Sequence, residues 1–268
     1  RVLSAVRIAL GALLLLDAAR AARELAGGYF GDGFHWPIVP EALVPSRAVY
    51  AVLVGARFVL ALLIIAGPRA RGALLTSAAL GSYLLLCDRL QYHNNRWALF
   101  AYSALLSFAP CDRALRLGRA PGPRRGPLWA ARLAQLQVSI VYLASGGSKL
   151  LDPDWRGGLV LLERFRLYGA QAVAAGVPAS VVAWMTQIDV THALSVLAIA
   201  TELFLAVGLW PRRTRVPALA LGVGFHLVIE ATSRVEGFTW LTLAMYALFL
   251  APVGRAPEKA PAAHPMVP

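Results

Sequence analysis

Lysine is scarce in this chain. Of 26 basic residues, only Lys149 and Lys259 are lysines and 24 are arginines. Lys259 falls in a Pro/Ala-rich tail. Lys149 closes a long apolar run in VYLASGGSKLLDPDW, residues 141–155. Arginine keeps its proton in almost any setting, whereas a desolvated lysine gives one up. An amine in an apolar pocket, uncharged for part of the time, is therefore a candidate general base. The SGGS before it carries little side-chain bulk, so a ligand or a neighbouring helix can come close. A second reading stays open. Lys149 is then an interfacial lysine, its stem in lipid and its charge paired with Asp152 or Asp154.

Other ionisable residues sit inside apolar runs, where charge is costly and usually faces a bundle interior. They are Arg7, Asp17, Arg57, Arg132, His192, Glu202, His226 and Glu230. Arg7 and Arg132 lie near span ends and are expected to snorkel. Asp17 and Arg57 are expected to pair between neighbouring helices. His226, in GVGFHLVIEAT, is either a hydrogen-bonded structural residue or a polar partner of a ligand. Glu202 either accepts a hydrogen bond from another helix or carries a proton. His93, Asn94 and Asn95, in LQYHNNRW, either bind a polar ligand head or cap the following helix. HExxH, the Walker loop and the nucleophile elbow are absent from the sequence, and the histidines lack metal-ligand spacing. No metal is expected.

The elements that must position these groups follow from composition. The chain has 268 residues, 58% of them hydrophobic and 15% charged. A soluble domain is nearer 45–50% apolar and about 25% charged. An all-α polytopic membrane bundle is predicted, in one domain over residues 1–252 with a tail at 253–268. Eight spans are expected: Val2 to Glu24, then 47–67, 71–91, 95–110, 128–151, 190–210, 214–231 and 236–252. The net charge of +12 does not point to nucleic acid, because no nucleic-acid-binding motif accompanies it. Twelve basic residues cluster instead in three short loops and the tail, among them Arg69, Arg71, Arg113, Arg116, Arg119, Arg124, Arg125, Arg212, Arg213 and Arg215. The positive-inside rule makes that side cytoplasmic, together with both termini. Lys149 then lies near the outer end of the fifth span. Cys87 and Cys111 fall at opposite levels, about 30 Å apart, too far for a disulfide. The segments GGLVLLERFRLYG and PASVVAWMTQI, within 152–189, have helical periodicity. They are expected to form a lid over an outward-facing cavity or to rest on lipid headgroups.

Four segments together carry a family resemblance: RIALGALLLLD, YFGDGFHWPIVPEALVP, QVSIVYLASGGSKLLDPDWRGG and FHLVIEATSRVEGFTW. In this order they resemble the vitamin K-dependent γ-carboxylases and their bacterial relatives, the horizontally transferred transmembrane (HTTM) domain proteins. The lysine segment is the most specific of the four. The resemblance implies that Lys149 deprotonates a reduced vitamin K or menaquinol-like quinol. Oxygen and carbon dioxide are the implied co-substrates. The products are an epoxide and, where the reactions are coupled, a carboxylated glutamate on an outer-side peptide or protein. Asp152, Asp154 and Trp155 would shape the pocket mouth. His93, Asn94, Asn95, Arg96, Glu202 and His226 would be its polar partners. Two departures qualify this expectation. The carboxylases place a histidine after two asparagines, where this chain has Arg96, with His93 ahead of the pair instead. The sequence also ends soon after the eighth predicted span, without the large luminal region that helps the carboxylases bind their substrate. The alternative is a non-catalytic quinone- or lipid-binding membrane subunit or scaffold. A bacterial inner-membrane location, with the site toward the outer face, is expected.

Overall fold

The computed structural model describes residues 1–29, 36–118, 128–233 and 237–250. Part of the aromatic loop after the first helix (30–35), Arg119, Arg124, Arg125 and the tail lie outside those residues. The described residues are all-helical and contain no strand. Eleven helices run in chain order: α1 (Val2–Ala26), α2 (Arg47–Ala66), α3 (Ala70–Leu86), α4 (Asn94–Ser107), α5 (Trp129–Leu151), α6 (Pro153–Arg156), α7 (Leu159–Ala174), α8 (Ala179–Met185), α9 (Ile188–Gly208), α10 (Arg212–Ser233) and α11 (Phe238–Leu250). Each predicted span coincides with a helix, and both periodic segments of the 152–189 loop are helical.

Among the described residues, four helices are long and apolar enough to cross a membrane: α1, α2, α9 and α10. The apolar α3 and α11 are shorter, with 17 and 13 residues, and α4 has 14. A 14-residue helix spans only ~21 Å against a hydrocarbon core of ~30 Å. α5 is long, with 23 residues, but it carries Arg132, Gln135, Gln137, Ser139 and Lys149 among its apolar positions.

Local signals set the ends of these helices. Ser46 caps α2 by accepting from the Val49 amide, and Gly67 closes it in the left-handed region at φ 95°. Pro153 cannot continue α5 and instead opens α6 at its first turn, with Asp152 as the cap. The tightest neighbours are α1 with α2, α3 with α4, and α5 with α9. One core joins α1, α3, α4, α5, α9 and α11 through Leu10, Leu14, Leu74, Phe100, Leu106, Val138, Leu205, Met245 and Phe249. α7 packs along α9 and α10, and α8 packs on α7, so this stretch forms a layer on the bundle.

Arg7 departs from expectation. It does not snorkel: its side chain is fully buried, donating to the carbonyls of Ile65 and Leu115. The 113–118 stretch folds back over it, with the Leu117 amide bonded to Ala66 O, so the guanidinium meets backbone carbonyls where lipid or water was expected. Cys87 and Cys111 are both free and buried. Burial pushes the Cys111 thiol up to about 12.

Candidate functional site

Tyr142, Ser145 and Lys149 follow one another at intervals of three and four residues on α5, so they share one face. That face meets α9. A Cβ built on Gly146 would lie 3.1 Å from the Leu203 side chain and 3.2 Å from Glu202 Cβ. The missing side chain is what lets the two helices approach. Lys149 Nζ lies 2.6 Å and 2.7 Å from the two carboxylate oxygens of Glu202 and donates to Ser145 Oγ at 2.8 Å. Ser145 Oγ lies 3.1 Å from Glu202 Oε1, which closes a triangle. The Trp155 ring centroid stands 5.0 Å from Nζ, within cation–π range. The lysine side chain is 17% exposed and that of Glu202 6%.

The aspartates do not pair with Lys149. Asp152 Oδ1 accepts from the Asp154 and Trp155 amides at 2.9 and 3.4 Å, and Asp154 is exposed. The reason is geometric. Helical side chains tilt toward the N-terminus of their helix, so the amine reaches back to Ser145 and across to Glu202. Asp152 lies beyond the other end. Its capping role still serves the site, because α6 brings Trp155 over the amine. Gly158 pins the next turn at φ +80°, where a Cβ would sit 2.6 Å from the Thr191 carbonyl carbon. Gly158 touches α9 ten residues before Glu202, about 15 Å along the helix. The ion pair is thus set well inside the bundle from that contact.

One helical turn and more below Lys149 is a second polar group, in which Tyr142 and Tyr246 were not foreseen. Tyr142 Oη lies 2.6 Å from His226 Nε2 and also meets Tyr246 Oη. His226 is fully enclosed among Phe225, Phe238 and the two tyrosines, and its Nδ1 has no partner. The hollow beside Tyr142 holds only about 10 Å³, roughly one water. The seven-residue offset from Lys149 was the available signal for Tyr142. Nothing local marked Tyr246.

Arg96, Asn95 and His93 belong to a different cluster. Asp17 on α1 receives Arg57 from α2 and Arg96 Nε from α4, the latter at 2.8 Å. The expected Asp17–Arg57 pair is therefore present, joined by a second guanidinium. Arg96 also donates to the backbone and side-chain oxygens of Gln91. His93 Nδ1 accepts from the Asn95 amide and caps α4, and Asn94 is exposed. A cavity of about 320 Å³ adjoins this cluster, with Asn95, Arg96, Asp17 and Trp240 in its wall. A third cavity, about 330 Å³, lies between α7, α8 and the end of α10. Lys149 lines none of these three cavities. The start of α11 separates the two clusters, with Gly237 and Trp240 in the wall of the cavity beside Arg96 and Phe238 against His226. Of the remaining ionisable positions, His192 is exposed and Glu230 Oε2 is buried without a partner. No group of His, Cys, Asp and Glu among the described residues is arranged to hold a metal.

The all-helical fold, with four apolar helices long enough to cross a bilayer, marks a helical membrane protein, and the amine–carboxylate contact lies between two of its helices. The chain belongs to the HTTM domain family, whose profile matches residues 1–253. No curated protein and no solved structure matches it.

Proposed function

We propose that this protein is a membrane-embedded enzyme that oxidises a reduced quinol, with Lys149 and Glu202 as its proton-handling pair. The observation that carries the reading is the contact of Nζ with both carboxylate oxygens of Glu202. An amine can act as a base only if its own proton has somewhere to go, and the carboxylate is at hydrogen-bonding distance. Proton transfer from Nζ to Glu202 leaves a neutral amine and a carboxylic acid. The amine can then accept the hydroxyl proton of a substrate. That restores the ammonium beside the newly formed oxyanion, a favourable placement in a low-dielectric site. Ser145 holds the amine in position through both steps.

Of the groups around the amine, Trp155 is the one suited to a quinol ring. Trp155 offers an aromatic face 5.0 Å from the amine, and His226 Nδ1 is an orphaned buried polar atom further along the bundle. A bound quinol supplies the acidic hydroxyl and the electrons for reaction with oxygen. The family link to vitamin K-dependent carboxylases supports that chemistry, with an epoxide as product. Carbon dioxide capture by a glutamate of an outer-side peptide is the coupled step, and Arg96 in place of a histidine weakens it. Within this proposal the chain makes eight crossings, some short or tilted, in a bacterial inner membrane. Both termini are cytoplasmic and Lys149 faces the outer side.

A second reading has its own support. Nζ already spends its three donors on Ser145 and Glu202, as a purely cohesive α5–α9 clasp would. The protein would then be a quinone- or lipid-binding subunit. Purified protein supplied with menaquinol or vitamin K hydroquinone under oxygen separates the two. Epoxide formation that disappears in Lys149→Arg and Glu202→Gln supports the enzyme. No epoxide from wild type, with a quinone still bound, supports the subunit.

A further inference from the structure

The Asp17 cluster is unbalanced in charge. Arg57 and Arg96 share a single carboxylate, and the three side chains are 2%, 11% and 8% exposed. Arg57 also lies against the Phe100 ring, 5.6 Å from its centroid. A buried guanidinium without its own counter-charge is expensive, and structures rarely tolerate one unless something else supplies the negative charge. Among the described residues that line the adjoining hollow, Asp17 is the one carboxylate. Arg20 Nε bridges Glu24 at 2.7 Å. Arg23 adds a further positive charge at the cavity wall. Among the described residues of that wall, three guanidinium groups, Arg20, Arg23 and Arg96, accompany one carboxylate, Asp17.

That hollow is the 320 Å³ cavity. Its polar wall holds Arg23, Arg96 and Asn95, whose buried Nδ2 donor has no partner. Its apolar wall holds Leu13, Leu16, Leu99, Trp240 and Leu241. Leu16 is 64% and Trp240 51% exposed, so the apolar side opens to the outside of the bundle, where acyl chains lie. A small soluble anion would satisfy the guanidinium groups and leave this wall uncovered.

We propose that the cavity between α1, α4 and α11 is a binding site for an anionic amphiphile. The head, a phosphate or carboxylate, is held by Arg96, Arg23 and the Asn95 amide, and the chain lies along Leu16 and Trp240. Arg96 Nε is held by Asp17 and Nη1 by Gln91, which leaves Nη2 to meet the head. The site shares no residue with the Lys149–Glu202 pair and rests on no part of the quinol reading.

The test reconstitutes the protein in phosphatidylcholine nanodiscs with and without phosphatidylglycerol, and separately adds inorganic phosphate. Lipid retained after detergent extraction is counted by native mass spectrometry, and the unfolding temperature is followed alongside. Wild type is expected to keep phosphatidylglycerol in preference to phosphatidylcholine and to gain thermal stability from it. Arg96→Gln keeps the Asp17–Arg57 pair intact and is expected to lose retention by roughly tenfold or more. Arg23→Gln removes an exposed charge outside the buried cluster, so it keeps the test valid if Arg96→Gln folds poorly, and retention should fall there too. Equal retention of both lipids, unchanged selectivity in Arg23→Gln, or full stabilisation by phosphate alone would each overturn the proposal.

Discussion

The Lys149–Glu202 pair and the Asp17–Arg57–Arg96 cluster both hold charge inside the same bundle, on different terms. The first matches one amine to one carboxylate and adds a serine, so every donor is used. The second sets two guanidinium groups on one carboxylate, beside a cavity. A matched pair can move a proton internally without changing its net charge. An unmatched cluster cannot neutralise itself, because arginine does not give up its proton, and so it calls for an outside anion. On the proposed functions, the contrast sets a site for proton transfer beside a site for electrostatic capture.

The strongest way to break the comparison is Asp17→Asn. It strands two buried guanidinium groups, and the expected loss is about 3–5 kcal/mol of stability. Expression and thermal unfolding should show a protein that barely folds. If Asp17→Asn unfolds no more easily than wild type, the cluster is not carrying buried charge. Next in size is Lys149→Arg, which keeps a cation against Glu202. Stability should change little, while quinol oxidation should fall by roughly 10²–10⁴-fold, the range for losing a positioned acid or base. Retained turnover would reduce the pair to a clasp.

Gly158→Ala sharpens the contrast from a distance. A Cβ there meets the α9 backbone at a positive φ, so α6 and Trp155 must shift, at a cost of roughly 1–3 kcal/mol. The Lys149 environment should change, as Trp155 fluorescence would report, with lipid retention at the Asp17 cavity untouched. A change in both would mean that the two regions are coupled. Gly146→Ala should be the mildest. Crowding against Leu203 and Glu202 is offset by the better helix propensity of alanine, leaving a net change within about 1 kcal/mol. Activity, if present, should drop more than stability does, because the amine–carboxylate spacing depends on how closely α5 approaches α9.

The helices were legible in the sequence because long apolar runs and Pro/Gly breaks are local signals. Even the short α7 and α8 announced themselves by period. Lys149 stood out because lysine is rare here, and Asp17–Arg57 because the two residues lie on consecutive helices. Glu202 was visible as a buried acid but not as the partner of Lys149. The nearby aspartates competed for that role, and only the backward tilt of the side chain decides between them. The seat of Arg96 on Asp17, 79 residues away, was beyond any local pattern, and it moved the asparagine segment out of the neighbourhood expected for it. Arg7 was misjudged because a span-end arginine normally finds water, and a loop that folds back over it is not written in its neighbours.

By itself the sequence determined an all-helical, membrane-suited chain with its few ionisable residues set at depth, since hydrophobic run length and residue type need no partner to act. Tertiary structure alone decided which charge meets which, that one amine is matched and one guanidinium is not, and where hollow space remains. Those outcomes depend on the approach of helices far apart in the chain, fixed by packing at residues such as Gly146 and Gly158, and no single segment encodes that approach.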